Sequence, residues 1–187
     1  MSVDAPRSVR LARTSDVDDV ARVQIRAWRA AYAGVLPDDV LASLDASDIA
    51  LEWGRALLMP GSSRLLVALG DDGRVVGAAA LGPASDPGSE GSGEISLLVV
   101  DPAAWRQGHG SRLLAASVDL LVQMGHREAI TWIPVADEAR RAFLQSAGWG
   151  PDGSYRDLAV SAETSLGPDR HTAGLVREVR MVTIIAD

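Results

Sequence analysis

A chain of 187 residues is long enough to bury a continuous core without disulfide or metal support, and short for two full domains, so one domain over residues 1–187 is expected. It has no cysteine, which excludes a thiol nucleophile, a thiolate zinc site and a disulfide framework, and His109, His126 and His171 lack the spacing that puts two metal ligands on one helix face. A formal net charge of -7 with scattered arginines argues against a nucleic-acid partner, and without an apolar run fit for a signal peptide or a bilayer span the chain reads as cytoplasmic.

After a flexible tail over residues 1–7, Val9 to Ala12 suits a first strand. Ser15 and Asp18 form a capping box for a helix whose apolar positions, among them Val17, Val20, Ala21, Ala27 and Trp28, recur at helical spacing until Gly34. Pro37 with two aspartates opens a second helical region, which runs with an interruption to about Leu58. Leu65 to Leu69 and Arg74 to Ala80 form a hairpin around Asp71-Asp72-Gly73. Pro83 to Gly93, rich in Pro, Gly and Ser, reads as a mobile surface loop, and Glu94 to Val100 as a strongly apolar strand.

A glycine-containing turn then leads into a long helix, Gly108 to about Met124, which Gly125 caps. Ala129 to Val135 is a strand, Asp137 to Ala147 a helix, and Tyr155 to Val160 and Leu175 to Ile185 are late strands on either side of a loop over Ser161 to Ala173. The order is β-α-α-β-β-β-α-β-α-β-β. Trp53, Trp105, Trp132 and Trp149 read as structural, while Asp137, Glu138, His171 and Glu178 are not separable from ordinary surface groups.

The chemistry concentrates between Glu94 and Leu114, where strand, tight turn and helix follow one another. Amides in the first turn of a helix lack internal partners and sit at the positive end of its dipole, so this turn has the form of an anion site. Gly108 and Gly110 allow a ligand close to the backbone, and Arg106 and Arg112 add positive charge. A nucleoside-triphosphate loop would need Gly-Lys-Ser/Thr where Gly110-Ser111-Arg112 stands, and a dinucleotide fingerprint would need a third small residue in place of Leu113.

The segment resembles motif A of the GCN5-related N-acetyltransferases (GNAT), Gln/Arg-x-x-Gly-x-Gly/Ala after a strand, with Trp105 at the first position and Gly108 and Gly110 at the glycines. Ala139 to Trp149 is similar to the family's motif B: Phe143 and Gly148 match, Asp137 stands for its Asn and Trp149 for its last aromatic. Trp28-Arg-Ala-Ala-Tyr-Ala-Gly-Val-Leu-Pro37 is similar to a run found in many bacterial members. The resemblance implies an α+β, α/β/α layered GNAT fold, a mixed and mostly antiparallel sheet flanked by helices. It also implies a cytoplasmic N-acetyltransferase with acetyl-CoA as co-substrate, and homodimers are frequent in the family.

The resemblance further implies that the turn Trp105, Arg106, Gln107, Gly108, His109, Gly110 and Ser111 binds CoA, its amides holding the diphosphate, and that Asp137 and Phe143 also belong to the cofactor site. The strand through Leu98, Val99 and Val100 would pair with the pantetheine arm, and the Leu98 N–H would polarise the thioester carbonyl. An alkyl ammonium of pKa about 10 must lose a proton before it attacks, and Glu94 is the leading base, with Ser96 on its face to order a relaying water. Trp28 and Tyr32 would line the acceptor pocket. The tyrosine that protonates the leaving thiolate in many members is here Leu144, and Tyr32 or Tyr155 are the substitutes.

The acceptor is expected to be a primary amine of a small molecule or peptide. The replacements at Trp105 and Leu144 keep a non-catalytic acyl-CoA-binding module as the alternative. A serine hydrolase is remote because no Gly-x-Ser-x-Gly elbow occurs.

Overall fold

The computed structural model describes residues 8–59, 61–161 and 172–186, so the expected tail over residues 1–7 and most of the expected loop after Ser161 lie outside it. Seven strands, β1 (Val9–Leu11), β2 (Arg64–Leu69), β3 (Val75–Pro83), β4 (Gly93–Val100), β5 (Glu128–Pro134), β6 (Gly150–Ser161) and β7 (Thr172–Ile184), join in one sheet. Among the described residues five α-helices accompany them: α1 (Val17–Ala31), α2 (Asp38–Ala42), α3 (Ala46–Leu58), α4 (His109–Gln123) and α5 (Glu138–Ser146). The expected interrupted helix after Pro37 is thus two helices, and the Asp45 carboxylate opens the second by accepting from the N–H groups of Ser47 and Asp48.

The sheet order is β1-β2-β3-β4-β5-β7-β6; β4 and β5 run parallel and every other neighbouring pair is antiparallel. Alternation along the strands divides the core. Leu66, Ala79, Leu81 and Ile95 face Leu113 and Leu121 of α4 and Leu144 of α5, whereas Val67, Ala78, Ala80 and Val99 face Val20 and Val23 of α1, with Trp53 of α3 packed alongside. The layers are therefore helix, sheet, helix, as expected.

Within β4 the alternation breaks. Ile95 belongs to the α4 side, yet Leu97, two residues on, belongs to the α1 side. The register against β3 explains this: Leu81 pairs with Ile95 and Ala80 with Leu97, so Ser96 is an inserted residue, a β-bulge that swaps the faces of everything after it. The bulge leaves Glu94 and Ser96 on one side while redirecting the remainder of the strand.

Other expectations are corrected. The helix α1 is not entered through a Ser15–Asp18 box; a short 3-10 turn over Thr14–Asp16 leads in, and the Asp16 carboxylate accepts from Arg13 N at 2.7 Å and from both Arg10 amino nitrogens at 2.7 and 2.9 Å. The segment after Pro83 is pinned rather than mobile: Trp132 Nε1 donates to Asp86 at 2.6 Å, Arg180 to the buried Ser89 hydroxyl at 2.6 Å, and Ser92 to Glu128 at 2.7 Å. Glu178 is no surface group; it is buried and accepts from Arg156 Nε at 2.7 Å. Strand β6 begins at Gly150, earlier than expected, because its long antiparallel ladder with β7 includes Gly150 opposite Val182.

Candidate active site

Strands β4 and β5 pair only at Gly93–Ala129 and Glu94–Ile130. A last tie, Thr131 Oγ1 donating to Ile95 O at 2.7 Å, closes the junction, and beyond it the two strands have no register. Farther along β4, Asp101 N donates to Val76 O of β3, so strand alternation turns the main-chain groups of Leu98 and Val100 to the opposite side, where β5 has diverged. That gap presents the Leu98 N–H to whatever enters it. The Val100 carbonyl, pointing the same way, is taken by Trp105 Nε1 at 2.8 Å, which leaves the Trp105 ring 48 % exposed over the turn.

After Val100 the chain bends sharply. The Asp101 carboxylate accepts from Ala103 N and from Arg26 of α1, which fixes the strand end against that helix. Arg106 (φ 61) and Gly108 (φ 78) both take left-handed backbone, an uncommon state for arginine, and Gly108 is the N-cap of α4. The first rung of that helix is Arg112 N to Gly108 O, at 3.1 Å, so the amides of Gly110 and Ser111 precede its ladder. Arg112 folds over the turn, donating to Gln107 O at 3.1 Å and standing 3.2 Å from His109 Nδ1. The His109 ring is buried beneath, so any contribution of His109 to an anion comes from its backbone.

Helix α5 flanks the turn on the far side of the gap. A Cβ built on Gly110 would lie 3.7 Å from the Phe143 ring and 3.8 Å from Val100 Cγ2, which places motif A glycine, β4 end and motif B aromatic around one point. The Asp137 carboxylate is committed to the start of α5, accepting from Arg140 N at 3.0 Å with the Arg140 guanidinium at 3.3 Å. Leu144 is 1 % exposed and belongs to the core beneath α4 and α5.

On the α1 side of the sheet a cleft of about 220 Å³ opens between α3, the β2–β3 edge and the β4 bulge. Glu94 and Ser96 line it together with Trp53, Leu57, Arg64 and Leu81. Burial pushes the Glu94 carboxyl above the ordinary carboxylate range, Asp86 and Glu178 push the same way, and Arg156 opposes them. Ser96 is exposed beside it, its hydroxyl 3.4 Å from Ala80 O. Neither Trp28 nor Tyr32 lines this cleft: Trp28 packs on the α1-side core, and Tyr32 turns toward Arg140 of α5. Sequence reasoning missed Trp53 and Arg64 as cleft residues, because nothing local marks the α3 residue that will stand against the β4 bulge.

The family model described as "Acetyltransferase (GNAT) family" matches residues 25–149. An uncharacterized N-acetyltransferase of Bacillus subtilis, YuaI, is 30% identical over 126 residues, 67% of this chain and 70% of that protein. Two solved structures share the fold at low identity. The PaiA N-acetyltransferase of Thermoplasma acidophilum, in complex with coenzyme A, superposes with a TM-score of 0.69 at 14% identity, covering 95% of this chain and 98% of its own. The ribosomal-protein-alanine N-acetyltransferase of Brucella melitensis superposes with a TM-score of 0.68 at 22% identity, over 95% and 99% of the two chains. With the split sheet, the glycine turn and the flanking α5 already in place, the chain belongs to the acetyltransferase (GNAT) family, and it is an acetyl-CoA-dependent N-acetyltransferase.

Proposed function

We propose that the chain acetylates the primary amine of a small molecule seated in the cleft of Glu94, Ser96 and Trp53, by direct attack of that amine on the thioester of acetyl-CoA. One observation carries the reading: the gap between β4 and β5 lies between the glycine turn that suits a diphosphate and the cleft that contains a carboxylate. Amides around Gly108, Gly110 and Ser111 hold the diphosphate, and Arg106 and Arg112 supply positive charge there. Leu98 and Val100 border the pantetheine arm, Phe143 packs beside it, and the Leu98 N–H points at the thioester oxygen as negative charge develops.

Glu94 accepts the proton of the ammonium group, directly or through water ordered at Ser96. Its raised pKa suits that task, since a base closer to the working pH is a stronger one. The acceptor's body rests on Trp53 and Leu57, and the cleft's modest volume favours a small amine over a folded protein's side chain. We place this activity in the cytoplasm. The outer strand β6 exposes Tyr155 and Leu158 and is the edge at which the homodimer implied by the family resemblance would pair.

The test is release of free thiol from acetyl-CoA against a panel of small amines and peptides. Acceptor-dependent release with a small amine that drops in Glu94→Gln supports the reading. Release with peptides alone, or release indifferent to Glu94, contradicts it.

A further inference from the structure

His109 opens α4 with only 2 % of its surface exposed, a place that suits a polar ring only where it is hydrogen-bonded. Arg112, one turn on, supplies a partner: its Nη2 stands 3.2 Å from His109 Nδ1 and 3.1 Å from Gln107 O. A guanidinium has donors and no acceptor, and it keeps its charge at every working pH. The contact is therefore a hydrogen bond in which Nδ1 accepts, and His109 is a neutral imidazole with its proton on Nε2.

This clamp fixes where the charge sits. Arg112 is half-buried, and a Cβ at Gly108 would lie 3.0 Å from its Nη1 and 3.7 Å from the guanidinium carbon. The cation thus rests against the Gly108 main chain, the N-cap of the helix whose first amides are those proposed to receive the diphosphate. Both Nη2 hydrogens are directed at protein acceptors, Gln107 O and His109 Nδ1, which leaves those on Nη1 and Nε for an anion.

Resting on the reading that the CoA diphosphate occupies this turn, we infer that His109 is a positioning residue, whose neutral ring holds the Arg112 guanidinium ready for a phosphate oxygen of the cofactor. Directly, His109 offers that anion only its backbone; the ring acts through Arg112. A long, flexible side chain left in solvent would have to be ordered by the ligand on binding, which weakens affinity. Here the two acceptors order it beforehand. Arg106, by contrast, is exposed, so the clamped cation at this turn is Arg112.

Calorimetry of CoA binding over a double-mutant cycle tests this: His109→Leu removes the acceptor from a buried site that suits an apolar side chain, and Arg112→Met removes the cation. Each single variant is expected to lose about tenfold in CoA affinity, the usual effect of one charge-assisted hydrogen bond, and in turnover the loss should fall on KM for acetyl-CoA rather than on kcat. The double variant should bind no more weakly than Arg112→Met alone, because the ring has nothing left to hold. Imidazole nitrogen NMR should find His109 neutral with Nδ1 unprotonated. Wild-type affinity in His109→Leu, losses that multiply in the double variant, or a proton on Nδ1 would overturn the role of His109 alone. Wild-type protein that binds no CoA would overturn the acetyl-CoA placement as well.

Discussion

Trp53 Nε1 donates to Gln24 Oε1 at 2.8 Å, and this one bond ties α3 to α1 at the wall of the cleft that Glu94 and Ser96 line. Gln24 is buried, so its amide oxygen has no access to water if the indole is removed. Trp53→Phe is expected to cost about 1–3 kcal/mol in urea unfolding, the usual penalty for a buried acceptor left without its donor. It should also raise KM for the amine while leaving KM for acetyl-CoA unchanged, because the gap between β4 and β5 does not involve α3.

Glu94→Gln separates catalysis from stability. As a base, Glu94 must be ionised, so wild-type kcat should rise with pH through a carboxyl pKa above the ordinary range, and that limb should vanish in the variant along with about 10²- to 10⁴-fold in rate. Stability should move the other way. A carboxyl whose folded pKa exceeds its unfolded one binds more protons folded, so its contribution is full below the unfolded pKa and is lost as pH rises through the folded one. Glu94→Gln should therefore be more stable than wild type at pH 7, with the difference gone below about pH 4. Denaturant unfolding at the two pH values checks the sign.

Asp16 has the opposite linkage. Its hydrogen bonds with Arg10 hold the carboxyl below the ordinary range against the effect of burial, and the Arg13 N–H assists. The stability it supplies is present above the unfolded pKa of about 3.9 and is lost as pH falls through the lower folded value. Asp16→Asn is expected to lose about 1–3 kcal/mol at neutral pH and to flatten the acid side of the stability profile. Thermal unfolding between pH 3 and pH 7 measures both.

Gly108→Ala tests the turn. At φ 78 a Cβ costs about 1–2 kcal/mol, and here it would also stand 3.0 Å from Arg112 Nη1. The guanidinium must shift, disturbing the amides proposed to receive the diphosphate. Calorimetry should show CoA affinity falling at least about tenfold while binding of the amine acceptor is unaffected.

The glycine turn was legible because local chemistry dictates it: only a strand followed by glycines and a helix start can place free amides in that array. Helix faces and the hairpin were legible for the same reason, through periodicity. The inserted Ser96 was not, since it is visible only against β3, where Ala80 and Leu81 straddle it. Long-range pairings hid the rest. Trp132, read as structural, is indeed packed, yet its role in pinning Asp86 beneath Arg156 depends on β7 lying between β5 and β6. The family resemblance points Tyr32 at the acceptor pocket, whereas in the structure its ring faces Arg140 of α5, a pairing that no local signal in the sequence marks.

A crystal structure with coenzyme A bound measures the central claim most directly. The account predicts the diphosphate against the amides of Gly108, Gly110 and Ser111, the pantetheine arm in the gap along Leu98 and Val100, and the sulfur on the Glu94 side of that gap. Coenzyme A bound elsewhere on the molecule, or a gap closed by re-pairing of β4 with β5, would contradict it.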